Sequence, residues 1–361
     1  MNFLFLHSDK QTEWNSSEWR CVIPAQAINT LEDHHAELAD IFLFSRQFQA
    51  VDAKSVIEQS EKADVIVIQR NAFLDTAETV IEYMAQGKRF VVDIDDGYRY
   101  MRRDVPSFKY WIDGMVTVGG KPMKMRRSPH EQLQWMIKLT ENLSSPSRAI
   151  LEDYEGLGVN RIFVPNYPRL SDYLPHKKRR DPNNQKIYLG WGGSHTHYNS
   201  FKESGIVPAL ERILKRNKNI TLLLAGGDYR IMKLFRTVED QLLVHPWAKF
   251  SVWPEVLSRI DIGLVPLSGA YDRRRSWIKP LEMFIMGIPW VSSPSEAYDE
   301  IPGGTQIEKN TSKYWEEAIE YNISHYKEIK QSVIEQEHLI DSFGSIHNAQ
   351  KLVNLYSGGL C

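Results

Sequence analysis

Short apolar runs alternate with longer segments of helical periodicity through the first half of the chain. Four runs have the length expected of buried strands: residues 2–7, 41–44, 64–68 and 90–94. The segments between them place apolar residues three and four positions apart, as one face of a helix requires: residues 18–34, 53–61 and 75–86. We therefore expect parallel strands joined by helical crossovers in this half.

The second half of the chain repeats this alternation. Further strands are predicted at residues 187–191, 220–225, 250–253, 262–267 and 290–291, and helices at 201–216, 277–286 and over most of 311–356. Within the first half, after the strand 90–94, residues 98–127 are basic and aromatic and show no clear period. Helices at 130–141 and 148–154 and a strand at 162–165 follow them. Both halves are typical of a Rossmann-like α/β domain, in which ligands bind beyond the carboxyl ends of the strands.

A change of composition marks the boundary between the two domains. The segment SDYLPHKKRRDPNNQ, residues 171–185, combines prolines, a run of charges and adjacent asparagines, as linkers do. We predict an N-terminal Rossmann-like domain over 1–170, a linker over 171–186 and a C-terminal Rossmann-like domain over 187–335. A helical segment over 336–361 is expected to pack back on the N-terminal domain, and the two domains are expected to face each other across a cleft.

Composition and charge narrow the class of protein. The chain of 361 residues is 42% hydrophobic and 25% charged, with a formal net charge of -2. This charge disfavours a positive potential over the whole protein, which would attract nucleic acid or a membrane, but it allows local basic patches. Cys21 and Cys361 are the only cysteines, so a disulfide framework is excluded and a reducing compartment fits. The N-terminus lacks a basic leader, and no apolar run reaches the roughly 20 residues of a membrane span. A cytoplasmic protein is expected.

Three consecutive arginines lie between the predicted strand 262–267 and the predicted helix 277–286. Arg273, Arg274 and Arg275, followed by Ser276, precede the helix start, where backbone N–H groups and cationic side chains together favour phosphate. A solvated charged loop is the alternative explanation. Within the helix, Lys279 and Glu282 are three residues apart and share a face. They could form a salt bridge, or the carboxylate could accept hydrogen bonds from a pair of sugar hydroxyls.

A glycine pair follows the predicted strand 187–191. Gly192 and Gly193, with Ser194, would let the backbone approach a ligand and would offer N–H groups to a phosphate. A tight turn explains the pair equally well. His195 and His197 follow, but their spacing is not that of a helical zinc pair and no carboxylate accompanies them. No metal site is predicted at these histidines.

Polar side chains also cluster at three strand ends of the N-terminal domain. They are His7-Ser8-Asp9, Gln69-Arg70-Asn71, and Asp93 with Asp95 and Asp96. The aspartates could bind Mg²⁺ or supply a general base, or they could simply form a turn at Asp96-Gly97. If the strand continues, Asp93 and Asp95 share one face and Asp96 does not.

With these segments in view, the chain resembles the family-4-like, nucleotide-sugar-dependent glycosyltransferases of GT-B fold. The resemblance in the second half lies in LGWGGS from Leu189, DIGLVPL from Asp261, and K-x-L-E-x4-G-I-P from Lys279 to Pro289. Weaker similarity in the first half covers Ser17-Glu18-Trp19-Arg20, Asp93-Ile94-Asp95-Asp96 and Val164-Pro165-Asn166. Many retaining members carry a glutamate eight residues before the one at Glu282, and this chain has Arg274 there.

The resemblance implies a nucleotide-diphosphate sugar bound by the second domain and an acceptor bound by the first. Glu282 would hold the ribose hydroxyls, Lys279 with the glycine turn would meet the diphosphate, and Trp253 would border the nucleobase. The arginine loop and Ser276 would complete the donor site. No cofactor would be obligatory, because cationic side chains and helix dipoles, not a metal, would stabilise the leaving diphosphate.

The function expected on these grounds is metal-independent transfer of a sugar, with retention, to an acceptor hydroxyl. Asp95 is predicted to activate the acceptor, with Ser17, Arg20, Asp93 and Asp96 on the acceptor side. The acceptor is expected to be a glycan, a lipid-linked molecule, a small molecule or DNA.

Two other functions remain open at this point. Lys121, Lys124, Arg126 and Arg127, with aromatic residues nearby, could face an anionic polymer, which would suit glycosylation of modified bases in phage DNA or a plain basic surface loop. Arg274 at a position where many relatives carry a carboxylate would suit a nucleotide-sugar-binding protein without turnover.

Overall fold

The computed structural model describes residues 1–44, 51–177, 186–226 and 229–359. These residues form two compact units. The first comprises Met1–Pro168, Arg274–Ser276 and Phe343–Cys361, and the second comprises Arg169–Arg273 and Trp277–Ser342. Residues 178–185 of the predicted linker, and Cys361, lie outside the described residues. The described start of that linker folds as Leu170–Tyr173 and Leu174–His176, two short helices within the second unit.

The first unit is built on a parallel sheet of six strands and a separate two-stranded hairpin. Its strands are β1 (Asn2–His7), β2 (His35–Asp40), β3 (Val65–Gln69), β4 (Arg89–Asp93), β5 (Met115–Val118), β6 (Lys121–Lys124), β7 (Asn142–Ser145) and β8 (Asn160–Phe163). The sheet has the order β2-β1-β3-β4-β7-β8, and β5 pairs with β6 in antiparallel fashion. The chain therefore reverses its direction of strand addition between β1 and β3.

Helices connect these strands and cover the sheet. A π-helical turn, Glu18–Val22, leads into Ile23–Ile28, and the other helices of four or more residues are Ile41–Phe44, Val51–Lys62, Ala77–Ala85, Phe108–Trp111, Pro129–Thr140, Arg148–Asp153 and Ala349–Ser357. The last of these helices places Tyr356 against Phe5 of β1, with ring centroids 5.3 Å apart. Residues from the C-terminal end of the chain thus complete the core of the first unit.

The second unit contains one parallel sheet of six strands. These are β9 (Ile187–Gly192), β10 (Ile220–Ala225), β11 (Leu242–His245), β12 (Ile262–Val265), β13 (Trp290–Ser292) and β14 (Gly304–Gln306), in the order β11-β10-β9-β12-β13-β14. Its main helices are Tyr198–Glu203, Ile206–Arg216, Tyr229–Lys233, Trp253–Leu257, Gly269–Asp272, Ile278–Ile285, Ser312–Ser324, Tyr326–Glu335 and Ile340–Phe343. Here the order reverses between β9 and β12, as in the doubly wound dinucleotide-binding sheet.

The strands of both sheets are buried because their sequences are continuous apolar runs. In β3 every residue is buried, and in β12 the same is true, as expected for parallel strands with helices on both faces. Two glycines that face each other across the reversal point, Gly190 and Gly263, make room for side chains behind them. A Cβ on Gly263 would lie 2.0 Å from the sulfur of Met283, so the helix carrying Met283 packs directly on β12.

Three predicted elements were wrong in detail. Residues 41–44 form a helix, and the strand is the preceding, more polar His35–Asp40, which is an edge strand paired only with β1. Residues 250–252 form a turn, and the strand in that region is β11. The helix predicted over 201–216 is broken at Gly205, whose φ is 84°. A Cβ on Gly205 would lie 2.8 Å from the backbone nitrogen of Ser312, so this position excludes a side chain.

Two Rossmann-like α/β domains were predicted from the apolar pattern, and the two parallel six-stranded sheets confirm that prediction. Within the described ranges, no helix combines the length and apolarity that a membrane span would need.

Candidate functional site

The carboxyl end of β9 is shaped by two glycines that neighbouring side chains crowd. A Cβ on Gly192 would lie 2.1 Å from the ring of Trp253, and one on Gly193 would lie 2.6 Å from the ring of Trp191. The N–H of Gly193 donates to the carbonyl of Ala225 at 2.9 Å, so this amide is engaged within the sheet. The glycines therefore allow close packing, and the predicted use of the Gly193 amide as a phosphate donor would require that hydrogen bond to break.

Lys279 brings a cation to this glycine turn. It lies in the first turn of the helix Ile278–Ile285, and its Nζ donates to the carbonyl of Gly192 at 2.6 Å. The same ammonium lies 5.6 Å from the centroid of the Trp191 ring. The positive charge is thus fixed at the carboxyl end of β9, where the strand order of the second sheet reverses.

Glu282 lies one turn further along the same helix and is only 5% exposed. Its Oε1 accepts hydrogen bonds from the hydroxyl of Tyr173 at 2.7 Å and from Nε1 of Trp253 at 3.0 Å. Burial raises the pKa of Glu282 to about 7, although the Tyr173 hydrogen bond, the charge of Lys279 and the Trp253 hydrogen bond each act to lower it. This carboxyl group can therefore change its protonation state near neutral pH.

Sequence reasoning missed two residues that organise this region. Tyr173 falls in the predicted linker, yet it is buried and its hydroxyl donates to Glu282; the prolines and charges around it in the sequence gave no signal of that contact. Asp272 is also buried, and its Oδ2 accepts from the N–H of Ser268 at 2.8 Å and from the hydroxyl of Ser200 at 2.6 Å. Asp272 thereby fixes the loop after β12, directly before the three arginines.

Ser194 lies at the start of a short helical turn that follows the glycine pair. Its hydroxyl lies 2.8 Å from that of Thr196, and its carbonyl accepts from the N–H of His197 at 3.1 Å. Ser194 therefore lies beside Gly193, within one unit with Lys279, Glu282 and Trp253. The structure brings these predicted donor-side residues together.

The three consecutive arginines have different surroundings. Arg273 is exposed and belongs to the second unit, whereas Arg274, Arg275 and Ser276 belong to the first. Arg274 donates two hydrogen bonds to Asp153, at 2.9 and 2.6 Å, and its guanidinium lies 3.6 Å from the centroid of the Tyr100 ring.

The residues next to Arg274 are engaged in the first unit as well. Arg275 donates to Asp96 at 3.1 Å, and the hydroxyl of Ser276 accepts from Asn166 at 3.0 Å. Gly97 packs against the side chain of Arg274, since a Cβ there would lie 3.0 Å away from it. The predicted phosphate-binding loop is thus bound to acidic and polar side chains of the first unit.

In the first unit, a polar network fills the point where the strand order reverses. Gln69 Oε1, at the end of β3, lies 3.0 Å from the hydroxyl of Ser8 and 2.5 Å from that of Ser17. Ser17 also lies 2.7 Å from Asp9, which accepts a hydrogen bond from Arg70 at 2.5 Å. Arg70 has a φ of 44°, a conformation uncommon outside glycine. Ser17, a predicted acceptor-side residue, is fully buried in this network.

Arg20 and Asp93, two further predicted acceptor-side residues, form a buried ion pair. Nε and NH2 of Arg20 donate to the two carboxylate oxygens of Asp93 at 2.9 and 2.5 Å, and the Ser144 hydroxyl donates to Asp93 at 2.6 Å. NH1 of Arg20 donates to the carbonyl of Val164 and to Asn166, at 2.9 and 2.8 Å. Burial is the largest single influence on the pKa of Arg20 and lowers it, but the charge of Asp93, its hydrogen bond and the charges of Tyr356 and Asp95 together outweigh burial, and the pKa is raised.

Asp95 differs from its neighbours because one of its oxygens has no hydrogen bond. It is half-buried, and its Oδ1 is buried without a partner among the described residues. The charge of Asp95 contributes to raising the pKa of both Arg20 and Arg70, so it lies close to both networks. The described part of the chain has no cluster of three His, Cys, Asp or Glu side chains able to hold a metal ion.

The comparisons with known proteins identify a fold but no sequence family. No family model matches the chain, and no curated protein sequence matches it. Among solved structures, the protein is similar to HepE (Alr3699) of Anabaena, crystallised with UDP and glucose, at a TM-score of 0.64 and 12% identity over 98% of both chains.

Two further structures show the range of proteins with this architecture. The catalytic domain of starch synthase IV from Arabidopsis thaliana, bound to ADP and acarbose, matches at a TM-score of 0.59 and 11% identity, over 99% of this chain and 98% of that one. A UDP-GlcNAc 2-epimerase from Neisseria meningitidis, bound to UDP-GlcNAc, matches at 0.50 and 10% identity over 98% of each chain. The chain has the GT-B glycosyltransferase fold that its sequence predicted.

Proposed function

We propose that the protein is a glycosyltransferase that moves a sugar from a nucleotide-diphosphate sugar to an acceptor hydroxyl. The observation that carries this proposal is the convergence of Lys279, Glu282 and the glycine turn at the carboxyl end of β9, where the strand order of the second sheet reverses. Open α/β sheets bind their ligands at such points. Structures similar to this one contain UDP with glucose, or ADP.

The second unit would hold the donor. Lys279 offers its ammonium to the diphosphate, and both described hydrogen bonds to Glu282 converge on Oε1, which leaves Oε2 to accept from ribose hydroxyls. The ring of Trp253 lies over Gly192 and would border the nucleobase. In this proposal Tyr173 is a positioning residue, because it acts by holding the carboxylate.

The first unit would hold the acceptor, with Asp95 as the group that activates it. An acceptor hydroxyl could donate its hydrogen bond to the unpartnered Oδ1. The acceptor oxygen then bonds to the anomeric carbon, while the bond from that carbon to the β-phosphate oxygen breaks. The electron pair leaves with the diphosphate, and the acceptor proton passes to Asp95.

In this proposal, Arg274 and Arg275 with their partners Asp153 and Asp96 stabilise the first unit and do not bind the diphosphate. Arg274, Arg275 and Ser276 are bound by side chains of the first unit, so the charge on the leaving diphosphate is assigned to Lys279 and the N-terminus of its helix. No divalent metal is needed for that assignment. We further propose that transfer proceeds with retention, which in this single step requires the acceptor to approach the anomeric carbon on the face from which the diphosphate departs. Turnover in the presence of a chelator tests metal independence, and the anomeric configuration of the product, measured by NMR, tests retention.

The deciding experiment measures nucleotide release from a panel of UDP, GDP, ADP and dTDP sugars, with and without candidate acceptors. Acceptor-dependent release together with a glycosylated product supports the proposal. Conversion of the sugar to its 2-epimer without acceptor would instead favour an epimerase, and binding with no turnover would favour a sugar-nucleotide-binding protein.

Variants then test the site itself. Glu282→Ala should reduce acceptor-dependent release, because the ribose loses its carboxylate acceptor. Lys313→Ala with Glu317→Ala removes an exposed ion pair of the same unit, whose side chains are 78% and 58% exposed, and should leave release unchanged. If Glu282→Ala behaves as this control does, the donor site has been placed wrongly.

A further inference from the structure

The β5–β6 hairpin carries a surface that neither sheet covers. Its strands pair only with each other and belong to neither six-stranded sheet. The register pairs Val118 with Lys121, so the connecting loop is Gly119-Gly120, with φ values of 56° and 78°. A two-residue loop with both φ values positive requires glycine and gives a tight turn. The hairpin therefore presents a defined tip.

One face of this hairpin is apolar and exposed. Residues opposite each other in an antiparallel pair share a face, so the register places Val116, Val118 and Met123 on one side together with Lys121. Val118 is 56% exposed and Met123 is 50% exposed, at the very end of the element. Two apolar side chains are therefore exposed on one face of the hairpin.

The same segment is strongly basic. From residue 114 to residue 130 there is no aspartate or glutamate, but Lys121, Lys124, Arg126 and Arg127 all occur, in a protein whose net charge is -2. All four side chains are exposed, and none of them forms an ion pair with a carboxylate within the described residues. Their charges are therefore available to an anionic partner.

We propose that this hairpin binds the surface of a bilayer that contains anionic phospholipids. Exposed apolar side chains with cations close by in the sequence match the boundary of such a bilayer, where Val118 and Met123 can enter the acyl region while the lysines and arginines contact phosphate. Nucleic acid would use the cations but gives exposed valine and methionine no stacking partner. The lipid surface accounts for both features of the hairpin.

Vesicle co-sedimentation of the full chain tests this inference. The wild-type protein should bind vesicles of phosphatidylcholine with phosphatidylglycerol and should not bind vesicles of phosphatidylcholine alone. The variant that combines Lys121→Glu, Lys124→Glu, Arg126→Glu and Arg127→Glu should lose at least about a hundredfold in affinity for the anionic vesicles. A variant with Val118→Ser and Met123→Ser should keep binding at low salt and lose it as salt screens the charges.

A matched control separates the hairpin from overall charge. Lys54→Glu, Lys215→Glu, Lys313→Glu and Lys327→Glu change the net charge by the same amount at four exposed positions elsewhere, and should leave binding as in the wild type. Equal losses in the hairpin and control variants would overturn the inference, and so would failure of the wild type to bind anionic vesicles. Binding of duplex or single-stranded DNA that is tighter than vesicle binding, and that the hairpin variant abolishes, would replace the bilayer with nucleic acid.

Discussion

Both sheets reverse their strand order beside their first strand, but different side chains lie at the two reversal points. In the first unit, the ends of β1 and β3 are joined by a network of the protein's own side chains, from Ser8 through Gln69 and Ser17 to Asp9. In the second unit, the end of β9 has two glycines, a lysine held by a backbone carbonyl, and a buried glutamate that titrates near neutral pH.

This difference shows that sheet topology alone does not locate a binding site. Topology offers a crevice at each reversal point, but a group that already donates and accepts its full set of hydrogen bonds gains little from a ligand. The first reversal point stabilises its own unit, and Asp95 beside it retains an oxygen without a partner among the described residues. The second reversal point holds a cation and a buried carboxyl group whose protonation can change, and the donor site is proposed there.

The largest expected effect is on the stability of the first unit. Arg20→Met leaves Asp93, which is fully buried, without its cation, and an unpaired buried charge costs about 3–5 kcal/mol. The midpoint of urea unfolding, followed by circular dichroism, measures this loss. Arg20→Met combined with Asp93→Leu should recover part of it, because no charge then remains buried. Wild-type stability in the single variant would mean that this pair is not structural.

The second largest expected effect is a loss of catalysis from a change in the second unit. Lys279→Met should lower acceptor-dependent nucleotide release about 10²–10³-fold, because a positioned cation is lost from the leaving diphosphate. Stability should change little, because the hydrogen bond from Lys279 to the Gly192 carbonyl contributes about 0.5–1.5 kcal/mol. Lys313→Met, at an exposed position, serves as the control. A large loss of stability with unchanged nucleotide release would mean that Lys279 stabilises the fold and does not act on the diphosphate.

A smaller expected effect tests whether Arg274 stabilises the first unit or binds the nucleotide. Arg274→Ala should cost about 2 kcal/mol of stability, because it removes two hydrogen bonds to Asp153, both side chains being over nine-tenths buried. The neighbouring, exposed Arg273→Ala should cost less than about 0.5 kcal/mol. Calorimetric titration with nucleotide should give the wild-type affinity for both variants. A selective loss of nucleotide affinity in Arg274→Ala would return this residue to the donor site.

Much of the fold could be predicted from the sequence because buried parallel strands consist of continuous runs of apolar residues. The bounds of β1 and β10 coincide with the predicted runs, and β3, β4, β9 and β12 differ by one or two residues. The edge strand β2 was missed because only Ala36 and Ala39 of HAELAD are buried, and the polar residues around them break the apolar run. The adjacent helix Ile41–Phe44 is apolar enough to look like a strand.

The site could be predicted only as far as its residues are close in sequence. Lys279 and Glu282 share a helix face, and their spacing makes that visible. The partners that decide their roles are distant: Tyr173 is 109 residues from Glu282, and Asp153 is 121 residues from Arg274. A cluster of three arginines gives no sign that one of them pairs across such a distance, so the loop was predicted as a phosphate site.

The smallest effect is the dependence of donor affinity on pH, which follows from the raised pKa of Glu282. In the free protein this pKa is about 7, and accepting hydrogen bonds from ribose favours the carboxylate, so binding should lower it. Nucleotide affinity should therefore rise about tenfold between pH 6 and pH 8 and then level off. Glu282→Gln, which cannot ionise, should show weaker and flat binding over that range.

The same pKa has an opposite consequence for folding, which separates ligand binding from structure. A carboxyl whose folded-state pKa lies above its unfolded value stabilises the fold fully below the unfolded value, near 4, and that stabilisation is lost as pH rises through about 7. Wild-type protein should therefore lose stability relative to Glu282→Gln between about pH 4 and pH 7, so that stability and donor affinity change in opposite directions between about pH 6 and pH 7. Parallel trends in stability and affinity would contradict this assignment, because they would place the titration on a group that the nucleotide does not contact.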